Sequence, residues 1–181
     1  MLIMMAGLPG AGKSTLSRAL VQRCGGIVLD KDSIRAALFP PEHIEYCREQ
    51  DDFCQQVMLT TAEYLLSRDP KLRIFLDGRP FSRRYQRQQA ESAAARLRTP
   101  LAIIECVCSD AIALTRLQRD DQTGAHPAAD RNPGLYAQIK ADFETLREPR
   151  LTVDTNQSLA ECVRQAQAYL DLISPASREQ S

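Results

Sequence analysis

Leu2-Ile3-Met4-Met5-Ala6-Gly7-Leu8-Pro9-Gly10-Ala11-Gly12-Lys13-Ser14-Thr15-Leu16 decides the fold. An apolar run, a glycine-rich turn and an amphipathic segment follow one another without a gap. Residues 7 to 14 fit the pattern Gly-x-x-x-x-Gly-Lys-Ser/Thr, with a strand before it and a helix after it. Gly7, Gly10 and Gly12 let the backbone fold tightly and bring its N–H groups close to phosphate oxygens. The helix that follows presents its positive end to the same anion. Leu8, Pro9, Ala11 and Thr15 complete the cradle. Lys13 reaches the β- and γ-phosphates, and the Ser14 hydroxyl completes a Mg²⁺ shell. Nucleotide binding is the firmest expectation the sequence supports.

Outward from this stretch, short apolar runs alternate with longer amphipathic ones. Strands are expected at Leu2 to Ala6, Gly26 to Leu29, Arg73 to Leu76, Leu101 to Val107 and Leu151 to Val153. Helices are expected at Ser14 to Arg23, Ile44 to Ser67, Ser82 to Leu97, Ala111 to Arg119, Leu135 to Leu146 and Leu159 to Ile173. Cys47, Cys54, Val57, Met58, Thr61 and Leu65 form the apolar stripe of the longest. Five strands interleaved with helices predict an α/β fold, a five-stranded parallel sheet covered on both faces. Asp120 to Pro133 is polar, aperiodic and long enough to act as a small lid, about 119–134. Residues 1–175 form one domain, and 176–181 a frayed tail.

Composition narrows the classes. The chain has 181 residues, and 23 Lys+Arg balance 23 Asp+Glu. This argues against disorder and against gripping nucleic acid by bulk charge. No apolar run approaches the ~20 residues of a membrane span. Met1 to Ala6 lacks the basic start of a secretion signal. None of the six cysteines forms a Cys-x-x-Cys pair. They read as small buried thiols in a reducing compartment, and the expected location is cytoplasmic.

Guanine-specific GTPases carry an Asn/Thr-Lys-x-Asp element, which this sequence lacks. An AAA-type motor would end an apolar run in Asp-Glu and add a helical lid domain; here Ile74-Phe75-Leu76 ends in Asp77-Gly78. With the phosphate-binding loop in place, the chain resembles a P-loop kinase of the group that contains polynucleotide kinases, zeta toxins, and gluconate and shikimate kinases. The resemblance spans about residues 2 to 173. It implies a P-loop NTPase core of three α/β/α layers, an AAA-type ATP-binding domain of the small-kinase kind. ATP and Mg²⁺ are the implied cofactors.

Asp30-Lys31-Asp32-Ser33-Ile34-Arg35 follows the second strand. In polynucleotide and adenylylsulfate kinases a similar Asp-x-x-Arg positions the acceptor hydroxyl. By that resemblance Asp32 is a general base or hydroxyl orienter, and Arg35 holds an anionic group. A carboxylate beside a transferred phosphoryl is also what the chemistry needs. Asp30 is a further orienter or Mg²⁺ contact. The competing reading is that Asp32 caps a helix from Ser33 and Arg35 is solvated.

Asp77-Gly78-Arg79-Pro80 is similar to an element of nucleoside monophosphate kinases whose aspartate helps hold Mg²⁺. This suggests Asp77 as a metal contact and Arg79 as a substrate contact, although the family's arginine lies where this chain has Phe81. Arg116 and Arg119 lead into the lid, where related kinases place arginines that compensate phosphate charge. Arg131 is a third candidate. Arg79, Arg83, Arg84 and Arg87 cluster, and Arg83 and Arg87 share a helical face that suits a nucleic-acid backbone or a solvated surface. His43 and His126 read as exposed loop residues. The expected activity is transfer of the γ-phosphoryl group of ATP to a hydroxyl acceptor, a small molecule first. A polynucleotide 5′-hydroxyl is the alternative, and a non-catalytic nucleotide switch the second. Oligomeric state is left open.

Overall fold

A computed structural model describes residues 1–123 and 133–174. Strands β1 (Leu2–Ala6), β2 (Ile27–Asp30), β3 (Ile74–Asp77), β4 (Leu101–Val107) and β5 (Leu151–Asp154) form one parallel sheet, in the order β2-β3-β1-β4-β5. Between them lie α1 (Lys13–Cys24), α2 (Lys31–Leu38), α3 (Arg48–Arg68), α4 (Arg84–Arg96), α5 (Asp110–Thr123) and α6 (Pro133–Ala141), with α7 (Leu159–Ile173) last.

The period of two in a strand splits the central β1 between two cores. Leu2, Met4 and Ala6 pack with Met58, Leu59 and Ala62 of α3 and Ala90 and Ala93 of α4. Ile3 and Met5 face the other way, toward Leu16 and Leu20 of α1 and Cys162, Ala166 and Leu170 of α7. With both faces covered, every β1 residue is buried, which explains an unbroken apolar run rather than an alternating one. The expected three-layer α/β/α architecture is the observed one.

Several elements differ from expectation. Residues Lys31–Leu38 form a helix, α2, which only the competing reading of a helix from Ser33 anticipated. Its inward face is charged, Lys31, Asp32 and Arg35, so apolar periodicity could not mark it. The long helix begins at Arg48 rather than Ile44, because a 3-10 turn occupies Pro41–His43 and Cys47 is the N-cap, its Sγ accepting from Gln50 N. Its buried stripe runs through Cys54, Met58, Leu59, Ala62 and Leu66, sharing Cys54 and Met58 with the predicted one but burying Ala62 and Leu66 where Thr61 and Leu65 were expected. Helix α5 continues past Arg119 to Thr123, and α6 stops at Ala141. The rest of the expected lid, with Arg131 and His126, lies outside the described residues. All six cysteines are free thiols; Cys54, Cys106 and Cys162 are buried and the others half-buried. Burial pushes the Cys106 thiol up to about 12. No helix of the described residues is long and apolar enough to cross a membrane.

Candidate active site

Parallel strands end together, so their C-terminal edge gathers the polar residues that follow them. β1 ends at the glycine-rich loop; Asp30 and Asp77 stand in register at the ends of β2 and β3. The loop's conformation depends on its glycines. Gly10 has φ +75°, and a Cβ there would lie 2.5 Å from the Ala113 carbonyl oxygen of α5. Gly10→Ala must therefore shift backbone, and strain of this kind costs about 1–3 kcal/mol. Thermal denaturation should show the variant melting about 2–12 °C below the parent.

Gly12, in the left-handed region at φ 82°, is the N-cap of α1 and has no side chain with which to cap it. The first N–H groups of the helix thus have no side-chain acceptor and suit an anion. Lys13, 6% exposed, folds back over the loop, its Nζ donating to Gly7 O at 2.9 Å and Leu8 O at 2.8 Å. Asp77 is buried and fixed at both oxygens, accepting from Ser17 Oγ at 3.0 Å and Gly78 N at 2.8 Å. Among the described residues no group of three or more His, Cys, Asp or Glu is arranged to hold a metal ion. The donors near the loop are the Ser14 hydroxyl and the Asp77 carboxylate. A few hard oxygens, completed by phosphate and water, match the habit of Mg²⁺.

Arg116 and Arg119 fare differently. Arg116 donates from Nη1 to Gly10 O at 3.2 Å and Thr155 Oγ1 at 3.0 Å, and from Nη2 to Thr155 O at 2.9 Å. Thr155, just past β5, also donates to Ala11 O at 3.0 Å. Together they brace the loop from behind. Arg119 lies exposed farther along α5. Arg116→Ala should weaken ATP binding about tenfold in calorimetry, with Arg116→Lys a poor substitute because lysine lacks the planar fork.

Asp32 and Arg35 sit deeper than expected. Asp32 is 4% exposed and Arg35 only 1%. The cap of α2 is Asp30, whose Oδ1 accepts from Ser33 N at 2.7 Å, so the cap role proposed for Asp32 belongs to Asp30. Asp32 Oδ1 instead accepts from Arg35 Nη1 at 2.8 Å and stands 3.2 Å from Lys31 Nζ. Asp51 of α3 closes the network by pairing with both Lys31 and Arg35. Burial opposes the charge on Arg35, but Asp51 and Asp32 outweigh it and hold its pKa above the ordinary value.

Arg79 is also 1% exposed, tied to Asp52, to Asp51 O and to Tyr85. Phe81, where the family places an arginine, is fully buried in the core with φ +52°. The expected basic face is not a free one. Arg83 pairs with Asp142, and Arg87 is buried against the carbonyls of Phe81, Glu144 and Thr145.

Two cavities border the loop. One, of about 250 Å³, is lined by Pro9, Lys13, Lys31, Asp32, Asp51 and Arg79 among others, with Leu135 and Ile139 of α6 across from them. The other, of about 240 Å³, is lined by Gly12, Thr15, Leu16, Arg116, Thr155 and Gln157. Thr155, Asp51, Asp52 and Tyr85 were not anticipated. Acids near the start of a helix look like ordinary dipole compensation. A threonine after a short strand gives no sign of its partners.

Comparison with known proteins agrees with this architecture. A gluconokinase from Sinorhizobium meliloti 1021 superposes with a TM-score of 0.67 at 22% identity, over 99% of this chain and 96% of that one. The APS kinase CysC of Mycobacterium tuberculosis, in complex with AMPPNP and APS, gives 0.68 at 17% identity over 94% and 96%. Chaetomium thermophilum Kti12 with ADP-AlF3 gives 0.70 at 16% identity, over 96% and 100%. No curated protein matches the chain. A family model described as an AAA domain matches residues 2–144, from β1 to the segment after α6. The chain belongs to this AAA-domain family, on the fold it shares with P-loop kinases.

Proposed function

We propose that the protein is an ATP- and Mg²⁺-dependent kinase that transfers the γ-phosphoryl group to a hydroxyl of a small molecule. The observation that carries this reading is that Lys13 and Asp32 line one cavity, next to the phosphate-binding loop. The triphosphate lies over the loop, its base in the cavity beside Thr15 and Arg116 and its γ-phosphate toward Asp32. Ser14 and Asp77 would hold Mg²⁺, which would supply charge neutralisation at the phosphates.

The chain's own residues do the rest. Lys13 moves from the loop carbonyls to the γ-phosphate and offsets charge that builds there. The acceptor hydroxyl is oriented by Asp32, itself held by Arg35 and Lys31. The acceptor oxygen bonds to Pγ as the bond from Pγ to the β–γ bridging oxygen breaks. The proton passes to Asp32 and ADP leaves. α6 narrows access of water to this cavity from the far side.

A cavity of about 250 Å³ falls just below the common range of ligand sites, about 300–1,000 Å³, and suits a small metabolite. Of the arginines that could form a track for a polynucleotide, Arg79, Arg83 and Arg87 are engaged by Asp52, Asp142 and backbone carbonyls, and Arg84 is exposed. Six free thiols fit a reducing cytoplasm. The test incubates the protein with γ-labelled ATP and either a metabolite pool or an oligonucleotide with a free 5′-hydroxyl. Label in a small organic phosphate is the expected result. Label on the oligonucleotide favours the polynucleotide reading, and ATP binding with no transfer favours the switch.

A further inference from the structure

The first turn of α3 presents an arrangement that helix stability does not explain. Arg48 opens the helix, where the macrodipole disfavours a cation. Its natural partners on a helix are the acids three and four positions on, Asp51 and Asp52. Both are engaged elsewhere: Asp51 pairs with Lys31 and Arg35, and Asp52 with Arg79. Among the described residues the Arg48 side chain makes no hydrogen bond or ion pair, and it lines the acceptor cavity.

The charges around that cavity almost cancel. Lys31, Arg35, Arg79 and Arg83 are matched by Asp32, Asp51, Asp52 and Asp142, each cation held in an ion pair. Lys13 belongs to the phosphate side. Among the described residues, the guanidinium of Arg48 is what remains.

We propose that the phosphoryl acceptor carries a single anionic group, a carboxylate or its equivalent, and that Arg48 receives it. This rests on the acceptor-cavity reading above. Arginine matches a carboxylate with two parallel hydrogen bonds, so the contact fixes orientation as well as charge. A neutral polyol forgoes it. A polyanion needs a second cation, and each of the others already holds a carboxylate that would first have to be displaced, for Arg35 and Arg79 from a buried guanidinium. The acids of α3 therefore set selectivity: they silence the buried arginines and leave one cation for the ligand.

The experiment splits a protein-free, low-mass metabolite extract by ion exchange into neutral-plus-cationic, monoanionic and polyanionic pools. Each pool is offered to the protein with γ-labelled ATP. Acceptor activity is expected in the monoanionic pool. Arg48→Gln should raise the KM for the acceptor purified from it at least tenfold and change kcat less than threefold. Arg48→Lys should recover part of the loss, and ATP affinity and melting temperature should stay at parental values. Activity in either other pool, or an acceptor KM indifferent to Arg48→Gln, overturns the inference and leaves the kinase reading standing. ATP binding with no transfer to any pool overturns both.

Discussion

Lys13→Ala lowers acceptor phosphorylation by about a hundred- to a thousandfold, the size of effect seen when one pre-organised donor to developing charge is removed. Lys13 is the first residue of α1, buried among the loop's own carbonyls, where it donates to Gly7 O and Leu8 O. Its ammonium is thus held within reach of any phosphate that enters the loop. Alanine removes that charge and both restraints on the loop. Steady-state assay with labelled ATP measures the loss, and circular dichroism establishes that the variant is folded. A variant with parental turnover would remove the loop from the mechanism.

Asp32→Asn is expected to reduce kcat by about a hundred- to ten-thousandfold, the range for a positioned acid–base group. Asparagine is chosen because it retains shape and can still accept from Arg35. Removing the side chain altogether leaves Arg35 with one carboxylate fewer in a buried network, a change of the kind that costs about 3–5 kcal/mol. ATP affinity, measured separately by calorimetry, should change less than threefold. If the entire loss lies in ATP affinity, Asp32 does not serve the acceptor.

The contrast between Lys13 and Asp32 shows what could be read from the residues. The glycine-rich stretch carries its structure in its own spacing, because strand, turn and helix are all local. The strands followed from apolar runs, and the parallel sheet from their alternation with helices. α2 escaped because the residues it buries are Lys31, Asp32 and Arg35, which invert the usual pattern. The same inversion hid Arg79 and Arg87, whose partners Asp52 and Glu144 lie far away in sequence. The expected extension of α6 to Leu146 failed for the opposite reason. Phe143 and Leu146 have helical spacing, yet they pack against the core from an irregular segment. Local patterns are legible; pairings made by the fold are not.

The central claim is that bound ATP yields a phosphorylated organic product. It is tested most directly by the stoichiometry of one reaction, with ADP, inorganic phosphate and acid-stable organic phosphate quantified together in the presence of a metabolite pool. One organic phosphate is expected for each ADP, with inorganic phosphate at background. ADP matched by inorganic phosphate alone, or bound ATP that stays intact, would contradict it.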